Sequence, residues 1–231
     1  MFFGQMNENP VQRSLIGIAS VALAEYFRDE EKKDILFFAD NMYRFIQAKN
    51  ELATILDQMP SEGGYQPTIF SDVKILQDRL SSNENGSITS VQTIYVPADD
   101  LSDPAVQAIQ RELDSVIVLS RKVAEQGIRP AVDLIKTTSS LLSVDVVGDR
   151  HYNLSVVVQS LLQKYESLKT IIAIIGENEL SPGDRADYSK AKELIKYFSQ
   201  IMHVTESLNG LKGEFSTREQ TLIGIEAIVN K

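Results

Sequence analysis

Cysteine is absent from the 231 residues, which excludes disulfides, thiolate nucleophiles and zinc–cysteine sites and fits a reducing compartment. Histidine is scarce. His151 and His203 are too far apart in the chain to suggest a metal pair or a Ser-His-Asp arrangement, and each reads as a helix-surface or helix-packing imidazole. Basic residues are in deficit, with 23 Lys plus Arg against 32 Asp plus Glu and a formal charge of -9. A sequence-independent grip on nucleic acid needs a basic footprint, so nucleic acid is excluded as a partner and any phosphate is bound locally. Long apolar runs are also missing. The longest, Leu15 to Ala24, is broken by Gly17 and Ser20 and has about half of the roughly 20 residues that a membrane-spanning helix needs. What is present, 43% apolar residues, is ample for a core in one large domain or one and a half.

The chain is organised around Asp34 to Phe45, DILFFADNMYRF. Ile35 to Phe38 is apolar without alternation, which predicts a strand buried on both faces of a parallel sheet. Asp40 stands at its end, with Asn41 and Arg44 just beyond. Ligands of open α/β sheets bind outside the carboxyl ends of the strands, so this carboxylate, amide and guanidinium suit a rim facing Mg²⁺ and phosphate. Taken alone, Asp40 equally suits the N-cap of the next helix.

Met1 to Met6 has the profile of the end of a strand, and so little precedes it that the start reads as a truncation. Leu15, Ile18, Ala22 and Tyr26 recur at helical spacing, predicting a helix that covers the sheet, with Glu25, Arg28 and Asp29 on its other faces. Met42 to Met59 reads as a second helix stopped by Pro60, and Ser61 to Pro67 as a loop whose Gly63 and Gly64 permit positive φ. A helix over Asp72 to Leu80 and a β-branched strand over Ser87 to Val96 follow. Asp103-Pro104 predicts an N-cap and first helical residue, whereas Asp99 and Asp100 lack such an explanation and form an acidic elbow. Ser115 to Leu119 reads as another buried strand, and Arg121 to Ser143 as loop with short pieces of structure. Beyond Val147 the periodicity is helical, with Leu154, Val157, Val158, Leu161, Leu162 and Tyr165 on one face, then helices over Tyr188 to Ser207 and Thr217 to Val229. Pro182-Gly183 predicts a turn between two of these helices. The fold class is therefore α/β, a mostly parallel sheet flanked by helices over residues 1–148, followed by a small all-helical domain over 149–231.

GQMNENP (Gly4 to Pro10), AEYFRDEE (Ala24 to Glu31), ILFFADNMYRF (Ile35 to Phe45), GYQPT (Gly64 to Thr68), GSITSVQTIYVPADDLSDPA (Gly86 to Ala105), VLSR (Val118 to Arg121) and VGDRHY (Val147 to Tyr152) together resemble the catalytic β subunit of F-type rotary ATP synthases, in order and spacing. The IYVPADD block is the most specific of them. The resemblance implies a RecA-like nucleotide-binding domain of the P-loop NTPase superfamily and a truncated C-terminal helical domain. It implies Mg²⁺ with ATP or ADP, Asp40 ordering the water shell of the metal, Asn41 and Arg44 helping to hold phosphate, and Tyr95 near the nucleotide. It also implies that Asp99, Asp100, Ser102 and Asp103 face the rotating central γ shaft, with serine in place of the usual threonine, and that Glu179 belongs to an acidic lever loop. The partners would be alpha-like and gamma-like subunits of a hetero-oligomer, cytoplasmic and peripheral to the membrane, that couples ATP turnover to rotation and proton transport.

The departures from the family are specific. No GxxxxGK[ST] phosphate loop occurs in the sequence, and the glutamate that polarises the attacking water lies in the same upstream region of the family. Arg129 stands where a tyrosine usually stacks on adenine, and Met202, Thr205 and Leu208 stand where aromatics complete that pocket. Pro182 and Gly183 replace two acids of the lever loop, and Lys231 comes before the family's last helices. Two readings follow: part of a β-like subunit whose activity belongs to the full assembly, or a non-catalytic interaction protein that kept the subunit-contact surfaces.

Overall fold

The computed structural model describes residues 1–61 and 63–231, and these form two compact units, Met1–Leu113 and Asp114–Lys231. In the first, helix α1 (Pro10–Asp29) begins where Asn9 accepts a hydrogen bond from the Val11 amide and Pro10 fills the first helical position, which needs no N–H. Strand β1 (Ile35–Ala39), α2 (Met42–Ile55), α3 (Ile69–Asp78), strand β2 (Ile88–Gln92), a 3₁₀ turn (Pro97–Asp99) and α4 (Pro104–Gln110) follow. The two strands pair in parallel, Ile35 opposite Ile88 and Ala39 opposite Gln92, so a helical crossover joins them as parallel pairing requires.

The core of this unit lies on one side of the sheet. Val21 and Ala24 of α1, Phe45 and Ile46 of α2, Ile69, Val73 and Leu76 of α3, and Ala105 and Ile109 of α4 pack with Ile35, Phe37 and Ala39 of β1. The other face is bare. Leu36, Phe38 and Val91 are 58%, 68% and 49% exposed, and the register sets Phe38 opposite Val91. The expectation of a strand buried on both faces is therefore corrected: the apolar run is continuous, but only alternate side chains find neighbours.

The packing face of α1 is corrected as well. Leu15 and Tyr26 are exposed, and the buried positions are Ser14, Val21, Ala24 and Arg28. With Gly17 these form a stripe of mostly small residues that lets α1 approach α2 closely. A methyl at Gly17 would sit 3.1 Å from the Phe45 ring. Arg28, read as a solvent-facing charge, is buried and donates to the carbonyls of Arg79 and Ser81 while holding Asp29 at 2.7 Å. Helix α2 ends at Ile55, before Pro60, where Asp57 turns to φ 53°. Met1 to Gln5 forms no strand. Gly63 and Gly64 adopt φ 90° and 80°, as expected of that loop, whose Glu62 lies outside the described residues.

In the second unit a short antiparallel pair, β3 (Ser115–Val116) with β4 (Thr138–Ser139), precedes the helices. The expected buried strand over Ser115 to Leu119 is cut to two residues paired with β4 and an isolated bridge from Leu119 to Val132, with Ile117 and Leu119 exposed. One-turn helices α5 (Arg121–Glu125) and α6 (Val144–Val147) lead into α7 (Asp149–Ile175), then α8 (Pro182–Phe198), α9 (Glu206–Asn209) and α10 (Arg218–Val229). Val158 and Leu162 of α7, Leu194 of α8, and Ile225 and Ile228 of α10 share one core. Pro182 and Gly183 open α8 behind a Ser181 cap instead of making a turn, which is the proline-at-first-position rule prevailing over turn composition. Thr217 and Gln220 form a capping box on α10.

Candidate functional site

Asp40 is exposed just past the carboxyl end of β1. The parallel register that pairs Ala39 with Gln92 brings Thr93 beside it, and the Thr93 hydroxyl donates to Asp40 Oδ1 at 2.7 Å. Backbone bonds close the same corner, Thr93 N to Ala39 O at 2.9 Å and Met42 N to Thr93 O at 3.0 Å. The cap of α2 is Asn41, whose side-chain oxygen accepts from the Arg44 amide at 3.2 Å. Asp40 is therefore not the N-cap of α2: the capping oxygen belongs to its neighbour. The Asn41 side-chain N–H₂ remains a donor, and Arg44, exposed in the first turn of α2, donates Nη1 to Gln47 at 3.0 Å. The Asp40–Asn41 peptide bond is cis.

Tyr95, half-exposed three residues past β2, packs against Tyr43 of α2 with ring centroids 5.8 Å apart. Tyr43, missed from the sequence because its 3.6-residue spacing marks it only as core, exchanges a 2.9 Å hydroxyl bond with Tyr65. Thr93 was missed too; its signal is positional, since it follows β2 by one residue as Asp40 follows β1. Burial first, and then the bonds to Tyr43 and Asp103, push the Tyr65 phenol far above its ordinary value, so it stays a hydroxyl donor.

The acidic elbow is built by its own hydrogen bonds. Asp100 Oδ1 accepts from the Ser102 hydroxyl at 2.6 Å and the Ser102 amide at 2.9 Å, and those bonds hold its carboxyl below the usual range. Asp100 thus has the structural role that the sequence did not disclose. Asp103 caps α4 as expected, accepting from Ala105 N at 2.8 Å and Val106 N at 3.3 Å, and it also accepts from Tyr65. Ala98 and Asp99 hold φ of 51° and 58°, which makes the bend sharp. Glu179 lies in the other unit, exposed on a 3₁₀ turn (Glu177–Glu179).

Arg129 is exposed. Its Nη1 donates to the carbonyls of Ala124 at 2.9 Å and Ile128 at 2.8 Å, while its backbone bonds Ser199 and Gln200. Leu208 is 85% exposed. Among the described residues no three His, Asp or Glu side chains converge to ligate a metal directly, and no helix is long and apolar enough to cross a membrane.

Two solved structures share this fold. A unique ATP synthase subunit NeqB from Nanoarcheaum equitans superposes with a TM-score of 0.82 at 23% identity, over 98% of this chain and 55% of that one. The assembled ATPase EscN from the type III secretion system of enteropathogenic E. coli gives 0.79 at 24% identity, over 95% and 51%. The chain thus spans about half the length of either relative. Residues 143–217 match the C-terminal domain of V and A type ATP synthase. Residues 1–139, more than half the chain, match the nucleotide-binding domain of the ATP synthase alpha/beta family, and the chain belongs to that family.

Proposed function

We propose that this chain is the rim-and-elbow part of a catalytic, β-type subunit, and that ATP synthesis or hydrolysis coupled to rotation and proton transport belongs to its assembly with alpha-like and gamma-like subunits, peripheral to a membrane on the cytoplasmic side. One observation carries the reading: an exposed carboxylate, Asp40, is fixed by Thr93 at the carboxyl end of a parallel sheet, beside a helix start that offers the Asn41 amide and the Arg44 guanidinium. This donor set fits the outer part of a magnesium–nucleotide site. Asp40 would order water on the metal, Asn41 and Arg44 would meet phosphate oxygens, and Tyr95 would lie by the nucleotide. When bound, the metal supplies charge neutralisation between phosphates. The phosphate cradle has no counterpart in this sequence, and the bare sheet face of Leu36, Phe38 and Val91 suits an element that brings one. The IYVPADD block favours an F-type β origin, and the V/A-type match of the helical segment keeps that assignment a proposal.

The chain alone is expected to hydrolyse ATP no faster than buffer and to bind Mg-ADP weakly or not at all by calorimetry. Mixed with the phosphate-loop half of a family member, it should gain binding that Asp40→Asn removes. Turnover by the chain alone that Asp40→Ala abolishes, or gained binding indifferent to Asp40, would refute the reading.

Arg129 favours a second reading, a non-catalytic interaction protein that keeps the subunit contacts. Its Nη1 bonds the carbonyls of its own loop, and a guanidinium stands at the position that the resemblance gives to the adenine-stacking ring.

A further inference from the structure

Tyr95, Tyr43, Tyr65 and Asp103 form a continuous chain of contacts from the segment after β2, through the first turn of α2, to the elbow. The direction of its hydrogen bonds follows from valence. Asp103 accepts from the amides of Ala105 and Val106, so its carboxylate is the acceptor for Tyr65 also, at 2.9 and 3.1 Å. Tyr65 has one proton and gives it to Asp103, so the 2.9 Å bond between the phenols must be donated by Tyr43. Each link therefore needs the next. Tyr43 is buried and is the second residue of α2, directly behind the Asp40–Asn41 corner. A shielded chain of this kind is strengthened by mutual polarisation and is costly to break in the middle.

We propose that Tyr65 is a positioning residue that couples the state of the Asp40 and Tyr95 rim to the capping of α4 at the elbow. A displacement of Tyr95 shifts the Tyr43 ring, removes the donor from Tyr65, and loosens Asp103 on the first turn of α4. The function of the link rests on the proposed reading of the rim as nucleotide-facing and the elbow as partner-facing; its existence does not.

The amides of Ala105 and Val106 have no acceptor within the helix, and the hydrogen bonds that protect them are those to Asp103. In the 231-residue chain, Tyr95→Leu is expected to speed exchange at these two amides by about three- to tenfold, the lower part of the range for residues joined through one network. In a Tyr65→Phe background, or in Tyr43→Phe, which keeps the ring and removes only the hydroxyl, Tyr95→Leu should change nothing further. Unaltered protection of the β1 and β2 ladder amides in every variant verifies the fold of the first unit. If Tyr95→Leu leaves Ala105 and Val106 unmoved, or speeds them equally without the Tyr65 hydroxyl, the proposal is wrong. No nucleotide enters the experiment, so a chain that shows this response, yet whose Mg-ADP binding with the phosphate-loop half is indifferent to Asp40, would sink the functional reading and leave the coupling standing.

Discussion

Truncating Phe38 tests whether the second face of the sheet is bare in solution. A core phenylalanine cut to alanine costs about 3–5 kcal/mol, but that range belongs to a ring enclosed on all sides. Phe38 is 68% exposed, so only about a third of that burial is at stake and Phe38→Ala should cost about 1 kcal/mol. Ile46→Ala, in the same unit at 0% exposure, should cost about 2–5 kcal/mol. The two units need not unfold together, so a single urea midpoint would mix them. Exchange of the β1 and β2 ladder amides reports opening of the first unit by itself. Phe38→Ala should lower their protection about fivefold, and Ile46→Ala about thirtyfold or more. Equal losses for the two variants in a dilute sample would mean that something covers Leu36 and Phe38 in solution, and the one-sided core would be refuted.

Asp29 gives a pH signature. The Arg28 guanidinium, with help from Asn83, lowers its carboxyl from 3.8 to about 2. A depressed carboxyl stabilises the fold fully above pH 3.8, and the contribution is lost as pH falls from there through about 2; the protection factors of the β1 and β2 ladder amides at pH 5 and 2.5 should therefore differ less in Asp29→Asn than in the parent. Thr217→Ala deletes the capping box of α10 and should cost about 1 kcal/mol, seen as faster exchange at the Gln220 amide, which bonds the Thr217 hydroxyl. Gly224→Ala would set a methyl 2.1 Å from the Tyr197 hydroxyl, which now donates to Gln220 O, and displacing that ring should cost about 1–3 kcal/mol and lower the Tm of the second unit.

Local chemistry was legible from the residues, and burial was not. Asp103-Pro104 and the paired glycines act within a few residues of themselves, and each does what its type requires. The apolar face of α7 is similar: Val158 and Leu162 are buried as their spacing implies, because α8 and α10 follow closely in the chain to receive them. Leu15, Tyr26, Leu36 and Phe38 have equally apolar side chains and no such neighbours. Periodicity says which residues would gain from burial, and a neighbouring surface decides which of them do. On α1 the competition went to Ser14, Gly17, Val21 and Ala24, since small side chains let two helices approach and Leu15 would hold them apart.

The candidate site follows the same division. That Asp40 ends a strand could be read from Ile35 to Phe38, but whether it caps a helix or faces a ligand depends on one residue of offset. The offset is fixed by the Met42 amide, which is bound to Thr93 across the sheet and not to a side chain before it. With that amide committed, the helix starts one residue later and the capping oxygen is supplied by Asn41, leaving the Asp40 carboxylate held by a single hydroxyl from the next strand. Asp103, by comparison, is held by two amides and a phenol. Asp40 is instead held by one hydroxyl and exposed, with its second oxygen clear of Thr93, and the proposed magnesium-facing role starts from that exposure.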